Sequence, residues 1–130
     1  MESDSPLPLA RDALHALEIP FAQRGEELRF CVLCRRGKVP VVLRCRAGRF
    51  ALYARLAEKA DPGAMALRCN QLNRTLGDGC LVADDAGRVY FKQTLYYEDD
   101  LGARWALERA LARQKAILDQ CLCALEHNDA

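Results

Sequence analysis

Three runs in which apolar side chains recur at every second residue constrain the fold of this chain more than any other feature. The runs cover residues 28–34, 41–45 and 50–54, and a turn containing a glycine separates each run from the next. Alternation at period two is typical of strands that bury one face, and short glycine turns join neighbouring strands in antiparallel order. We therefore predict a three-stranded antiparallel meander.

Apolar residues at steps of three and four predict three helices around these strands. The first ends before Pro20, because proline disfavours helix in the residue that precedes it. The second begins at Asp61 and Pro62, and the third begins near residues 98–100 and runs to about Glu126. The apolar stripes of the helices are Leu7, Ala10, Leu14 and Leu17; Met65, Cys69, Leu72 and Leu76; and Leu107, Leu111, Leu118, Leu122 and Leu125.

A second hairpin lies between the second and third predicted helices, with strands at 80–83 and 89–95 and an acidic turn at 84–87. The predicted fold class is α+β in the order α-βββ-α-ββ-α, a five-stranded antiparallel sheet with three helices on one face. An extended piece at 21–23 is a candidate for one extra strand. We predict a single domain over residues 1–130, with tails at 1–6 and 127–130.

Basic residues are concentrated in the meander, although the net charge of the chain is only +1. Residues 24–59 contain ten Lys or Arg and three Glu, so this stretch carries +7 and the remainder −6. Such a stretch is suited to phosphate contacts, so RNA binding through residues 24–59 is an alternative function. The same cations would suit an acidic protein partner, or a solvated sheet face whose arginines prevent edge aggregation.

The sequence shows no catalytic arrangement. A nucleophile needs a neighbouring base, usually histidine, and the two histidines lie apart, His15 in the first helix and His127 in the C-terminal tail. The acidic pair Asp84 and Asp85 belongs to a turn, and the acids at 98–100 belong to a helix start. We expect no catalytic residue, no cofactor and no enzymatic activity. A small redox or metal-dependent enzyme is the third hypothesis.

Seven cysteines at irregular spacings do not form the even set typical of a secreted disulfide scaffold. We expect reduced thiols packed as small hydrophobes. Cys31 and Cys34 have zinc-knuckle spacing, but positions three apart on a strand point to opposite faces. Cys121 and Cys123, with His127, also diverge on a helix. We predict no metal site, and a redox or metal role for either pair stays open.

The N-terminal residues lack the basic start and apolar core of a signal peptide, and no apolar run approaches the length of a membrane span. We therefore expect a cytoplasmic protein that does not enter a membrane.

Residues 68–73 followed by 79–92 resemble the YbjN-like family of bacterial proteins. That family shows a helix with an N-x-x-N pair, matched here by Asn70 and Asn73, then a hairpin with an acidic turn and a glycine, then a long helix. The resemblance covers about residues 9–126 in element order and 65–101 in sequence detail. It implies a fold similar to that of type III secretion chaperones, which are non-enzymatic homodimers that hold partially unfolded clients. YbjN-like proteins are described as candidate regulators.

These observations predict a non-catalytic protein-binding module that acts through a sheet face, an edge strand or a helix face. The last helix is a candidate homodimer interface, and the identity of the protein partner stays open. We expect Asn70 and Asn73 to bond backbone where the second helix meets the hairpin. Residues expected to contact a partner are Arg44, Arg46, Tyr53, Tyr90, Tyr96, Tyr97 and Trp105, and partial core burial is the alternative for each aromatic.

Overall fold

The computed structural model of the protein describes residues 5–57 and 61–126. The helices in this part of the chain are α1 (Leu7–Ala16), α2 (Pro62–Asn73) and α3 (Asp100–Glu126). The strands are β1 (Ala22–Arg24), β2 (Glu27–Cys34), β3 (Gly37–Arg46), β4 (Arg49–Ala57), β5 (Cys80–Ala83) and β6 (Val89–Tyr96). Most of both predicted tails, together with Glu58 and Lys59 of the basic stretch, lies outside the described residues.

All six of these strands form one antiparallel sheet in the order β1-β2-β3-β4-β6-β5. The α+β class is therefore confirmed, whereas the predicted five-stranded sheet is wrong by one strand. The additional strand is β1, which pairs with β2 across a turn at Gly25 (φ +61°). Its three residues are all exposed, so they lack the alternation by which the other strands were predicted.

Two tight turns set the register of the meander. Cys34 pairs with Gly37 and Arg46 pairs with Arg49, so each turn leaves only two residues between the paired ones. Gly37 and Gly48 have φ values of +125° and +84°, a region that glycine enters without steric cost. A register shift of one residue would move the apolar side chains of a strand to its opposite face. The two turns fix the register and therefore keep the predicted apolar side chains on the same face of the sheet.

The core lies between one face of the sheet, called here the inner face, and the helices. The inner face is formed by the alternate apolar residues of the strands, and Phe50, Leu52 and Phe91 are almost completely buried there. Helices α1 and α3 pack on this face and on each other, and α2 packs against β5. The arrangement confirms three helices on one side of an antiparallel sheet.

The predicted apolar stripes hold except at their last members in α1 and α2. Leu76 follows the end of α2 at Asn73 and packs against the core from outside the helix. In α1, Leu7, Ala10 and Leu14 are buried, but Leu17 is 39% exposed. The helix ends at Ala16, and the following turn contains Glu18 in the left-handed region (φ 58°). Leu17 therefore leaves the helical period, and the expectation that it lies in the stripe is wrong.

The turn between β2 and β3 is fastened to the end of α3. The backbone N–H of Arg35 donates to Oδ1 of Asp119 at 2.9 Å, and the guanidinium of Arg36 pairs with Glu126. Lys115 also donates to Asp119, and together these contacts hold the pKa of that carboxyl below its ordinary value. The longest helix thus touches a turn more than eighty residues earlier in the chain.

Candidate functional site

The outer face of the sheet, opposite the helices, carries many charged and aromatic groups. Strand pairing aligns its side chains in rows, one of which runs through Arg29, Val42, Tyr53 and Lys92. Within the described strands, this face carries a single carboxylate, that of Glu27. The cations on strand positions of the same face are Arg24, Arg29, Lys38, Arg44, Arg46, Arg49, Arg55 and Lys92.

Tyr53 lies at the centre of this face. The guanidinium of Arg44 lies 5.2 Å from the centroid of its ring, and the ammonium of Lys92 lies 5.8 Å from the same centroid. Cations at these distances are attracted to the negative face of an aromatic ring. The half-buried ring therefore holds two long cationic side chains near one place on the sheet.

Glu27 orders the cations at one side of Tyr53. Its two carboxylate oxygens accept from Arg29 at 3.0 Å and from Arg44 at 2.8 Å. The hydrogen bond from Arg29, followed by that from Arg44, holds the pKa of Glu27 below its ordinary value, although partial burial opposes this effect. Lys92 has no carboxylate partner among the described residues, so the positive charge near Tyr53 is only partly neutralised.

A shallow depression of about 440 Å³ opens over these groups. Its walls combine aliphatic surface from Val42 and Val82 with the rings of Tyr53 and Tyr90. A second depression adjoins it and extends the same surface over Cys31, Pro40 and Arg55. The outer face thus offers apolar contact surface surrounded by cations, an arrangement suited to a partner that carries both apolar and acidic groups.

The structure brings three of the seven predicted contact residues, Arg44, Tyr53 and Tyr90, into one depression. Arg46 lies next to this group, in a neighbouring depression shared with Arg44. Tyr96 is 73% exposed at the end of β6, and Trp105 is 62% exposed on α3, so neither lines that depression.

Tyr97 makes contacts within the protein that hold the chain together. Its hydroxyl donates to the carbonyl oxygen of Arg46 at 3.2 Å, and its ring lies 5.2 Å from that of Phe50. Burial raises the pKa of this phenol. These contacts attach the chain after β6 to the β3–β4 turn.

The two asparagines of the N-x-x-N pair have different environments. The side-chain Nδ2 of Asn73 donates to the carbonyl oxygen of Leu81 at 2.9 Å, and its Oδ1 accepts from the N–H of Leu81 at 2.6 Å. The predicted bond to backbone at the helix-to-hairpin junction is therefore present for Asn73. Asn70 is exposed on α2.

Sequence reasoning missed Glu27, Arg29, Lys92 and Val82 as members of this surface. Lys92 and Val82 approach Tyr53 only through the pairing of β4 with β6, two strands separated in sequence by α2 and β5. Glu27 and Arg29 approach it through the pairing of β2, β3 and β4. One signal was available for Lys92, since it lies two residues after Tyr90 and therefore faces the same side of the strand.

The cysteines divide between the core and the surface. Cys34, Cys45, Cys69 and Cys121 are buried, and burial raises the pKa of Cys45 to about 12 and that of Cys121 to about 11. The other predicted pair members, Cys31 and Cys123, are exposed, so the expectation that all thiols pack as small hydrophobes is wrong for these two. All seven cysteines lie in the described part of the chain, and none of them forms a disulfide.

Within residues 5–57 and 61–126, no three side chains of the metal-binding types gather around one point. His127, the imidazole considered with Cys121 and Cys123, lies outside the described residues. In the same part of the chain, no helix is both long enough and apolar enough to cross a bilayer.

Comparison with solved structures finds proteins with a similar fold. The chain superimposes on YbjN from E. coli, a candidate transcription regulator, with a TM-score of 0.63 and 15% identity, covering 92% of this chain and 93% of that one. It also matches a chain of the HopA1–SchA chaperone–effector complex, with a TM-score of 0.59 and 19% identity over 89% of this chain and 88% of that chain.

A third match is a chain of the heterodimeric ExoU–SpcU complex from the type III secretion system of Pseudomonas aeruginosa. Its TM-score is 0.54 and its identity 19%, over 87% of this chain and 94% of that one. No family model and no curated protein matches the sequence. The chain therefore has a YbjN-like fold related to that of type III secretion chaperones, as the resemblance implied.

Proposed function

We propose that this protein is a non-catalytic protein-binding module, chaperone-like or regulator-like, that recognises an acidic segment of its partner through the outer face of its sheet. The observation that carries the proposal is the position of Tyr53 between Arg44 and Lys92, above the depression on that face. The fold supports a protein partner, since two of the similar structures are complexes between two different proteins, one of them described as a chaperone–effector complex.

Recognition follows from the chemistry of these groups. An arginine presents a planar fork of donors that matches a carboxylate, and Lys92 adds a mobile point charge beside it. Tyr53 and Tyr90 supply large contact areas at a small cost in conformational entropy. Glu27 already orients Arg29 and Arg44, so these side chains are ordered before a partner arrives.

The proposal is tested with defined peptides. Random twelve-residue peptides are selected on the immobilised protein, and the affinities of the selected peptides are measured by calorimetry. We expect sequences that combine aspartate or glutamate with apolar residues. Removing two charges near Tyr53, by Arg44→Ala with Lys92→Ala, should weaken binding at least about tenfold, because each lost contact to a carboxylate is worth about 1.5–3 kcal/mol.

The matched control also removes two charges, one on α1 and one just after the end of α2, at exposed positions without ion pairs among the described residues: Arg11→Ala with Arg74→Ala. This control should leave the affinity unchanged within twofold. Equal losses in both double variants would overturn the proposal, since only net charge would then matter. Tighter binding of single-stranded RNA than of any selected peptide, lost in the Arg44 and Lys92 variant, would favour the nucleic-acid alternative instead.

Homodimer formation through α3 and a cytoplasmic location follow from the resemblance and the sequence, and both stay predictions. Sedimentation of the purified protein and fractionation of its native host are the measurements that check them.

A further inference from the structure

The edge of the sheet at β6 is only half covered. Strand β6 pairs with β4 from Val89 to Tyr96, whereas β5 pairs only with its first half, Val89 to Lys92. The second half, residues 93–96, therefore has a strand on one side only. We call these four residues the open segment of β6.

The first half of this edge is covered by a paired strand. Strand β5 pairs with β6 there, and the side chain of Asn73 bonds the backbone N–H and carbonyl of Leu81 on the other side of β5. Just before β5, a side chain on Gly79 would place its Cβ 2.4 Å from the carbonyl oxygen of Lys92. The chain thus meets β6 closely at Lys92, and β5 does not extend to the open segment.

The backbone of the open segment offers hydrogen bonds to an added strand. The N–H of Tyr97 donates to the carbonyl of Gly48 at 3.1 Å, on the β4 side. In an antiparallel pair, successive residues direct their N–H and C=O groups alternately toward one neighbour and the other. The groups of Thr94 and Tyr96 therefore point away from β4, where the described residues provide no strand.

A groove of about 420 Å³ runs along the inner side of this segment, between β6 and α3. Leu95, Ala106 and Ile117 contribute apolar surface to the groove. Trp105 stands at its wall, 62% exposed, with the guanidinium of Arg109 5.2 Å from its ring centroid. An exposed tryptophan beside unpaired strand backbone is suited to hold an extended peptide.

The charges around the groove indicate which kind of partner segment would bind there. Arg109 lines the groove and forms no ion pair within the described residues, and Arg113 has only a long contact of 3.6 Å with Asp78. On the outer side, Arg49 lies directly across from Tyr96. A second copy of the chain paired here edge to edge would bring these arginines together with their own counterparts, which is unfavourable. An acidic segment of another protein would neutralise them.

We propose that the open segment of β6 binds an extended acidic and apolar segment of a partner protein, which adds as a strand beside Thr94 and Tyr96 and places an apolar side chain against Trp105. This inference rests on the chain being a protein-binding module, but it uses a different surface from the outer-face depression.

The test uses a synthetic ten-residue peptide of alternating valine and glutamate. Trp105 is the single tryptophan of the chain, so its fluorescence reports on the groove. We expect saturable binding with a changed emission maximum, and at least tenfold weaker binding of the same peptide with lysine in place of glutamate.

Thr94→Pro removes one N–H that points to the open side and leaves the β4 pairing intact, because proline is tolerated where a strand N–H faces solvent. It should weaken binding of the valine–glutamate peptide at least tenfold, whereas Thr94→Ala, which keeps the N–H, should stay within twofold. If Thr94→Pro does not fold, a peptide N-methylated at alternate residues replaces it and should also bind at least tenfold more weakly.

Three results would overturn the inference: equal affinities of the proline and alanine variants, equal affinities of the methylated and unmethylated peptides, or a dimer in light scattering that Thr94→Pro converts to a monomer. The Arg44→Ala with Lys92→Ala variant should keep its affinity for this peptide within twofold. Loss of peptide binding in that variant alone would assign the peptide to the outer face, support the proposed function and reject the strand-addition site.

Discussion

The two faces of the sheet use the same strands for different purposes. In β4, Phe50 and Leu52 point inward and are almost fully buried, while Tyr53 points outward among cations. The inner face is apolar and covered by helices, so burial of its side chains stabilises the fold. The cations of the outer face are exposed, so we expect this face to contribute less to stability. The comparison predicts that the proposed recognition surface and the core can be altered separately.

The largest test of this separation exchanges one aromatic on each face for alanine. Phe50→Ala should lower the free energy of unfolding by about 3–5 kcal/mol, because it leaves a cavity in the covered core. Tyr53→Ala should lower it by about 1 kcal/mol or less, the scale of cross-strand contacts on a solvated face. Urea unfolding of both variants measures the difference, and comparable losses would show that the outer face also stabilises the fold.

A smaller effect on stability is expected where Asn73, at the end of α2, bonds the backbone of β5. Asn73→Ala leaves the N–H and carbonyl of buried Leu81 without their side-chain partner, at a cost of about 1–3 kcal/mol. The matched control is Asn70→Ala, an exposed substitution on the same helix, which should change stability by less than about 0.5 kcal/mol. Thermal unfolding monitored by circular dichroism separates the two, and an equal effect would contradict the role given to Asn73.

Within the described residues, the apolar core contains one buried pair of polar side chains, Gln93 on β6 and Gln114 on α3. The amide of Gln114, 1% exposed, donates to Oε1 of Gln93 at 3.0 Å, and its own Oε1 has no partner among the described residues. Gln93→Leu should cost about 1 kcal/mol, because it removes an acceptor from a buried donor. The double variant Gln93→Leu with Gln114→Leu should recover that loss or exceed wild-type stability. A double variant less stable than the single one would show that the pair stabilises the core.

The smallest effect concerns pH and the outer face. Because Arg29 and Arg44 lower the pKa of Glu27 in the folded protein, its contribution to stability is present at neutral pH and is lost as the pH falls through that lowered pKa. Exposed ion pairs of this kind contribute a few tenths of a kcal/mol. Glu27→Gln should therefore slightly flatten the fall of the melting temperature as the pH decreases below the ordinary pKa of a glutamate. Identical acid limbs for the variant and the wild-type protein would contradict the role of Glu27.

Local periodicity predicted most of the elements. The alternation in β2, β3 and β4, the glycine turns and the cap at Asp61 are local signals, and Asp61 accepts from the N–H of Ala64 as its position predicts. Strand β1 had weak local signals, since its three exposed residues are defined only by pairing with β2.

The candidate site was only partly predictable for a physical reason. Tyr53 and Tyr90 were identifiable as outward aromatics, but Tyr90 and Lys92 reach Tyr53 only through the pairing of β4 with β6, which no short-range pattern specifies. The open segment of β6 depends on the unequal lengths of two paired strands, and its groove depends on where α3 crosses the sheet. Both are properties of the assembled sheet.

The attachment of the β2–β3 turn to Asp119 and Glu126 has a consequence for synthesis of the chain. The three apolar strands leave the ribosome long before α3, the helix that covers them. Asp119 and Glu126 of α3 lie 84 and 90 residues after Arg35 and Arg36, the turn residues that they contact. At about 5–20 residues per second, their apolar side stays uncovered for on the order of ten seconds. A nascent chain of this protein therefore completes this fold only after α3 has been synthesised, and truncation before Asp119 would remove both contacts that hold the β2–β3 turn.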